Sequence, residues 1–156
     1  MTIRPATSSD IEAMMALART SASASHWSRE QYQSLILDCP TRRLALIAES
    51  STSANALSGL LVAHHVAPEW ELENIVVAAD FRRNGIGKLL LDSLIAAARE
   101  TNSQAVFLEV RESNAAARAL YEECGFELNG RRKSYYSNPI EDAIHYRRAL
   151  CQPISS

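Results

Sequence analysis

In residues 80–95, DFRRNGIGKLLLDSLI, two arginines, two glycines and a lysine crowd positions 82–88 before the chain turns into a leucine-rich run. Beyond the glycines, Leu91, Leu94, Ile95 and Ala98 recur at helical spacing. Just before them, WELENIVVA (70–78) follows Pro68 and reads as a strand. The stretch therefore predicts a strand, a glycine loop and a helix in succession. Two familiar loop patterns do not fit. The Walker pattern requires glycine at Arg82 and a hydroxyl at Leu89, and the dinucleotide pattern requires glycine at Leu90. What remains is R-x-x-G-x-G, carried by Arg82, Gly85 and Gly87. Such a loop turns successive N–H groups toward a diphosphate while the helix dipole favours its charge. A plain glycine-rich turn is the alternative reading.

Downstream, AVFLEVR (105–111) carries apolar residues on both faces and reads as a strand, and Ala117, Leu120, Tyr121 and Cys124 resume helical spacing. The segment is thus a βαβα unit. Upstream, TIRPA predicts an edge strand stopped by Pro5. Ser9 with Glu12 predicts a capping box for a helix whose apolar face is Ile11, Met14, Met15 and Ala18. Ser28 with Gln31 predicts a second helix ending before Pro40. RLALIAES (43–50) and ALSGLLVAHHV (56–66) read as strands joined across the polar stretch 50–55, giving an antiparallel meander with the strand at 70–78. The end, FELNGRRKSYYSNPIEDAIHYRRAL, predicts two strands around a loop at Asn138 and Pro139. No internal repeat or linker divides the 156 residues, so one domain over 1–156 is expected.

With 47% apolar residues, 22% charged residues and a net charge of −2, the chain can bury a core, and it lacks the broad basic surface of a protein that coats nucleic acid or an anionic membrane. Cys39, Cys124 and Cys151 form no C-x-x-C pair, so neither a disulfide framework nor a zinc site is indicated. The N-terminus has no apolar signal core and no stretch is long enough to span a bilayer. A soluble, cytoplasmic monomer without a metal is expected.

The motifs together resemble the GNAT superfamily of N-acetyltransferases. Within it, NIVV, RRNGIGKLLLDSLI, FLEVRESNAAARALYEECGF, RRKSYY and EDAIHY are similar to successive blocks of the bacterial ribosomal-protein-alanine N-acetyltransferases, and HWSREQY (26–32) is similar to their tryptophan-containing segment. The resemblance implies an α+β GNAT fold: a mixed, mostly antiparallel sheet of six or seven strands, helices on both faces, and a V-shaped splay between the central strands. It implies acetyl-CoA as cosubstrate. The acceptor it implies is a protein N-terminus, the N-terminal alanine of small-subunit ribosomal protein number eighteen, with no direct nucleic-acid partner.

By the same carry-over, Ile75, Val76 and Val77 run beside the pantetheine arm. Arg82, Arg83, Asn84, Gly85, Ile86, Gly87 and Lys88 cradle the pyrophosphate, mainly through main-chain N–H groups, and Asn114 contacts the coenzyme. Glu109 is the general base and Tyr121 the acid that returns a proton to the departing thiolate. Ala79 and Arg82 stand where the family often has proline and glutamine.

Each role has a bland competitor. An α-amine of pKa near 8 is largely protonated at pH 7, so a base is useful, and a carboxylate among Val106, Phe107, Leu108 and Val110 is expected to gain proton affinity by desolvation. Alternatively Glu109 simply pairs with Arg111, its neighbour two residues on. Tyr121 on an apolar helix face could equally be core. Glu71 and Glu73 share a strand face and could receive a basic peptide, or be a solvated strand end. Trp27, Tyr135 and Tyr136 could line the peptide groove or pack in the core. Arg131, Arg132 and Lys133 read as a solvated run that could also touch ligand. Two other functions stay open: acetylation of a small amine or a lysine, and a non-catalytic module that holds coenzyme A.

Overall fold

One sheet of seven strands in the order β1-β2-β3-β4-β5-β7-β6 organises the protein, a computed structural model of which describes residues 1–21, 24–50 and 57–150. The strands are β1 (Thr2–Pro5), β2 (Arg43–Glu49), β3 (Leu57–Val66), β4 (Glu69–Val77), β5 (Ala105–Arg111), β6 (Glu127–Tyr136) and β7 (Glu141–Ala149). The helices are α1 (Ile11–Arg19), α2 (Arg29–Asp38), α3 (Ile86–Glu100) and α4 (Ala115–Glu123). Every pairing is antiparallel except β4 with β5, the strands joined by the crossover through α3. Cys151 and most of the expected link at 50–55 lie outside the described residues.

The sheet has a core on each face. Leu90, Leu91, Leu94 and Ile95 of α3, with Tyr121 of α4, pack on Leu61, Trp70, Leu72, Val106 and Leu108. Met14 and Leu17 of α1, with Tyr32 and Leu35 of α2, pack on Ala45, Ile47, Leu60, Val62 and Val76. Because β2 and β3 are covered on both sides, their sequences run apolar without alternation. In β5, Val106, Leu108 and Val110 are buried toward α3 and α4, while Phe107, Glu109 and Arg111 alternate onto the other face.

The capping residues of α1 differ from the expected pair. Thr7, not Ser9, precedes the first turn, and its N–H donates to Asp10 Oδ2 at 2.7 Å. Arg4 of β1 grips the same carboxylate through Nη1 and Nη2 at 2.9 Å each and holds it below the usual carboxylate pKa range. Thr7 and Asp10 thus cap at the same three-residue spacing, and the ion pair to Arg4 adds to it. The second cap is as expected: Ser28 N–H donates to Gln31 Oε1 (2.7 Å) and Gln31 N–H to Ser28 Oγ (3.2 Å). Ser28→Ala removes one of these and is expected to cost about 1 kcal/mol, read as a lower urea midpoint with an unchanged slope.

Two irregularities place the site. Val62 pairs with Asn74 and Ala63 with Leu72, so Glu73 is an extra residue in β4. The bulge reverses the strand's phase. Before it, Trp70 and Leu72 face α3, whereas after it Val76 faces α1 and α2. The second irregularity is that β4 and β5 pair only from Glu69 with Ala105 to Glu71 with Phe107, although β4 runs on to Val77 and β5 to Arg111. Past Glu71 the two strands part.

Candidate active site

The gap between the parted strands is a cleft of about 930 Å³, within the range of small-molecule sites. Its walls are Asn74 to Val77 of β4, Leu108 to Arg111 of β5, and Ala117, Leu120 and Tyr121 of α4. Arg82, Arg83 and Gly85 to Lys88 close one end. Among the described residues, none of the N–H groups of residues 83–88 donates to a backbone carbonyl. The first paired amide is that of Leu89, which donates to Gly85 O at 3.0 Å. Arg83 and Gly85 adopt left-handed conformations (φ 66° and 77°), and Gly85 sits at the N-cap of α3. Open amides at the positive end of a fifteen-residue helix are a site for an anion. Gly87 keeps this wall thin, since a Cβ there would stand 2.9 Å from Leu120 Cδ2.

The other expected coenzyme contacts fall into three groups. Ile75, Val76 and Val77 line the cleft, and Arg82 Nε reaches Val77 O at 3.4 Å. Asn114 also lines it, but its Oδ1 caps α4 by accepting from Ala117 N–H at 3.2 Å, which leaves the amide NH₂ for a ligand. Asn84 is exposed and lies outside the lining.

Glu109 enters the cleft from β5 with its side chain 15% exposed. The alternative pairing with Arg111 does not form. Arg111 instead donates to Glu141 Oε1 (3.1 Å), Pro139 O (3.3 Å) and Ser137 O (3.2 Å), with its guanidinium over the Tyr136 ring. The cation beside Glu109 is Arg132, whose Nε lies 3.0 Å from a buried Oε2 that has no well-directed hydrogen bond. Tyr121 lines the opposite wall and packs against Phe126 and Tyr146. Tyr146 is itself fixed, donating to Glu122 Oε2 (2.5 Å) and accepting from Arg118 Nε (3.0 Å). Burial pushes the Tyr121 phenol well above its ordinary pKa, so at neutral pH it carries a proton it can give. The cleft thus holds a carboxylate on one wall and a protonated phenol on the other.

The expected acceptor residues divide. Glu73 lines the cleft and is held by Arg43 Nη2 at 2.8 and 2.9 Å, and Trp27 lies over that guanidinium at 5.1 Å. Glu71 shares the face of Glu73, but Glu71, Trp27 and Tyr135 are outside the lining. Burial, then Glu73, raises the Glu71 pKa. Tyr136 lines the cleft and Tyr135 meets it edge-on. Sequence reasoning missed Arg43 and Asn74. Nothing local marks Arg43, and Asn74 is set by the bulge. Burial raises the Cys39 and Cys124 thiols, which disfavours a thiolate nucleophile. Among the described residues no group of three or more His, Cys, Asp or Glu could hold a metal, and no helix is long and apolar enough to cross a membrane.

Residues 11–126 match the acetyltransferase (GNAT) family. The chain is 40% identical over 95 residues to the [ribosomal protein bS18]-alanine N-acetyltransferase of Salmonella typhimurium, covering 60% of this chain and 64% of that protein. It is 42% identical over 85 residues to the Haemophilus influenzae protein of the same name, covering 54% and 58%. These matches span less than two thirds of either relative's length. The crystal structure of the ribosomal-protein-S18-alanine N-acetyltransferase from Escherichia coli superimposes with a TM-score of 0.82 at 30% identity, covering 97% of this chain and 95% of that one.

Proposed function

The chain belongs to the acetyltransferase (GNAT) family, and from that membership we propose that it moves the acetyl group of acetyl-CoA onto a protein N-terminal amine, that of a bS18-type alanine. The observation that carries the reading is the row of open amides at residues 83–88 beside the parting of β4 and β5. The coenzyme supplies an acyl group on a good leaving group. The amides bind its diphosphate, and Ile75 to Val77 present strand backbone along the cleft to the pantetheine arm. Holding both reactants in one cleft supplies proximity.

Glu109 takes the proton of the incoming ammonium, so that a neutral amine forms the new C–N bond. As the C–S bond breaks, Tyr121 gives its proton to the sulfur, and the second proton shed by the acylated nitrogen restores the phenol. Backbone N–H near Val77 steadies the carbonyl oxygen as charge develops on it. Transfer is direct, in a ternary complex, because the described cysteines have raised thiol pKa values and neither lines the cleft. Glu71, beside a Glu73 already held by Arg43, is the acid on that strand face left to receive a basic peptide segment. The acceptor assignment draws on the similarity to the bS18-alanine acetyltransferases.

A panel decides it. The protein is incubated with labelled acetyl-CoA and, separately, an alanine-initiated basic peptide, the same peptide with a blocked N-terminus, and spermidine. Label on the free α-amine alone is expected. Label on the blocked peptide's lysines, or on spermidine in preference to the free peptide, sinks the acceptor assignment.

A further inference from the structure

Three arginines on β5 and β6 are not held alike. Arg111 has two carbonyls, a carboxylate and a ring. Arg131 is clamped between Glu112 (2.8 Å) and Asp142 (2.7 Å). Arg132 has one carboxylate, Glu109, and a loose stack on Tyr135 at 5.3 Å. Register explains the split: Arg131 pairs with Ile144, while Arg132 and Arg111 both pair with Ala143 and so share the Glu109 face. The two members of the ion pair differ in exposure. Arg132 is 62% exposed, so it can swing into water at little cost, whereas Glu109, 15% exposed, cannot.

Resting on the acetyltransferase reading above, we propose that Arg132 is a positioning residue that pairs with Glu109 in the free enzyme and gives up its place to the ammonium of the acceptor. In the free enzyme the guanidinium holds the carboxylate through the 3.0 Å contact. When the acceptor's ammonium arrives, one cation replaces the other. With Arg132 in solvent, the Glu109 carboxylate faces the ammonium whose proton it takes. Once that proton has passed to water, Arg132 returns. The other groups facing Glu109 do not perform this exchange. Arg111 is tied down on β5, Glu71 and Glu73 on β4 offer no cation, Tyr136 on β6 is neutral, and His145 opposite on β7 is stacked on Phe107.

The test compares wild type, Arg132→Gln and Arg132→Lys on an alanine-initiated peptide across pH. For kcat/KM, which reports the free enzyme, Arg132→Gln is expected to move the acid limb up by about half a unit, the scale of a largely exposed ion pair. The kcat limb, which reports the complex in which Arg132 has already left, stays in place. On the alkaline plateau the peptide KM falls by roughly threefold because nothing must be displaced, a change of that same modest scale. Arg132→Lys keeps both properties close to wild type. Limbs of kcat and kcat/KM that shift together, limbs that both stay put, or a KM that rises would each overturn the exchange. A wild type that leaves the peptide unmodified overturns the acetyltransferase reading as well, which separates the two failures.

Discussion

Glu109→Gln is expected to lower kcat at pH 7 by about a hundredfold or more, the usual scale for loss of a positioned base, while acetyl-CoA binds within about twofold of wild type, well inside the modest range of a lost surface ion pair. The substitution keeps the side chain's shape in the cleft and removes only its capacity to accept a proton as a carboxylate. The deficit should shrink as pH rises past about 8, because the acceptor α-amine then deprotonates in solution. That convergence separates a base from a binding group, whose loss would persist at high pH. Neither neighbouring carboxylate is placed to substitute. Glu73 is occupied by Arg43, and Glu71 lies outside the cleft wall. Stopped-flow turnover of the variant at wild-type rate would remove Glu109 from the mechanism and leave the coenzyme site untouched.

The order of elements was readable because most of the pattern is local. Helical spacing in α3 and α4, the Ser28–Gln31 cap and the continuous apolar runs of β2 and β3 all lie within single segments. The glycine loop was readable for the same reason: Gly85 has the positive φ that the sequence asks of it. What the sequence hid is tertiary. A period of two carried through WELENIVV predicts one phase from end to end, and the bulge at Glu73 breaks it. A glutamate and an arginine two apart on one strand face invite a pairing, yet β7 delivers Glu141 to Arg111 and β6 delivers Arg132 to Glu109. At the N-terminus the cap is instead local, Thr7 with Asp10 at the same spacing as Ser9 with Glu12. For Arg111 and Glu109 the winning partner arrives from distant chain, where spacing rules do not reach.

Gly87→Val is expected to weaken acetyl-CoA binding by roughly thirtyfold or more while the chain stays folded. A first added carbon meets Leu120 Cδ2 at 2.9 Å, below any tolerated contact, so either the side chain swings or α4 retreats. Overpacking of that kind typically costs about 1 to 3 kcal/mol. Tyr121 follows Leu120 on α4, so a retreat also disturbs the proposed acid. The two methyl groups of valine would further crowd the row of amides from 83 to 88, replacing close backbone approach with hydrocarbon. Folding suffers less, because a non-glycine residue has higher helix propensity and Gly87 is already within α3. The neighbouring Gly85 provides the contrast. A Cβ there meets nothing within 4 Å, and φ of 77° makes its penalty conformational, so Gly85→Asn should bind far better than Gly85→Val. Calorimetric titration beside far-ultraviolet circular dichroism reads both quantities. A folded Gly87→Val protein that takes up acetyl-CoA as wild type does would mean that the diphosphate is bound elsewhere, and the amides of 83–88 would lose their assignment.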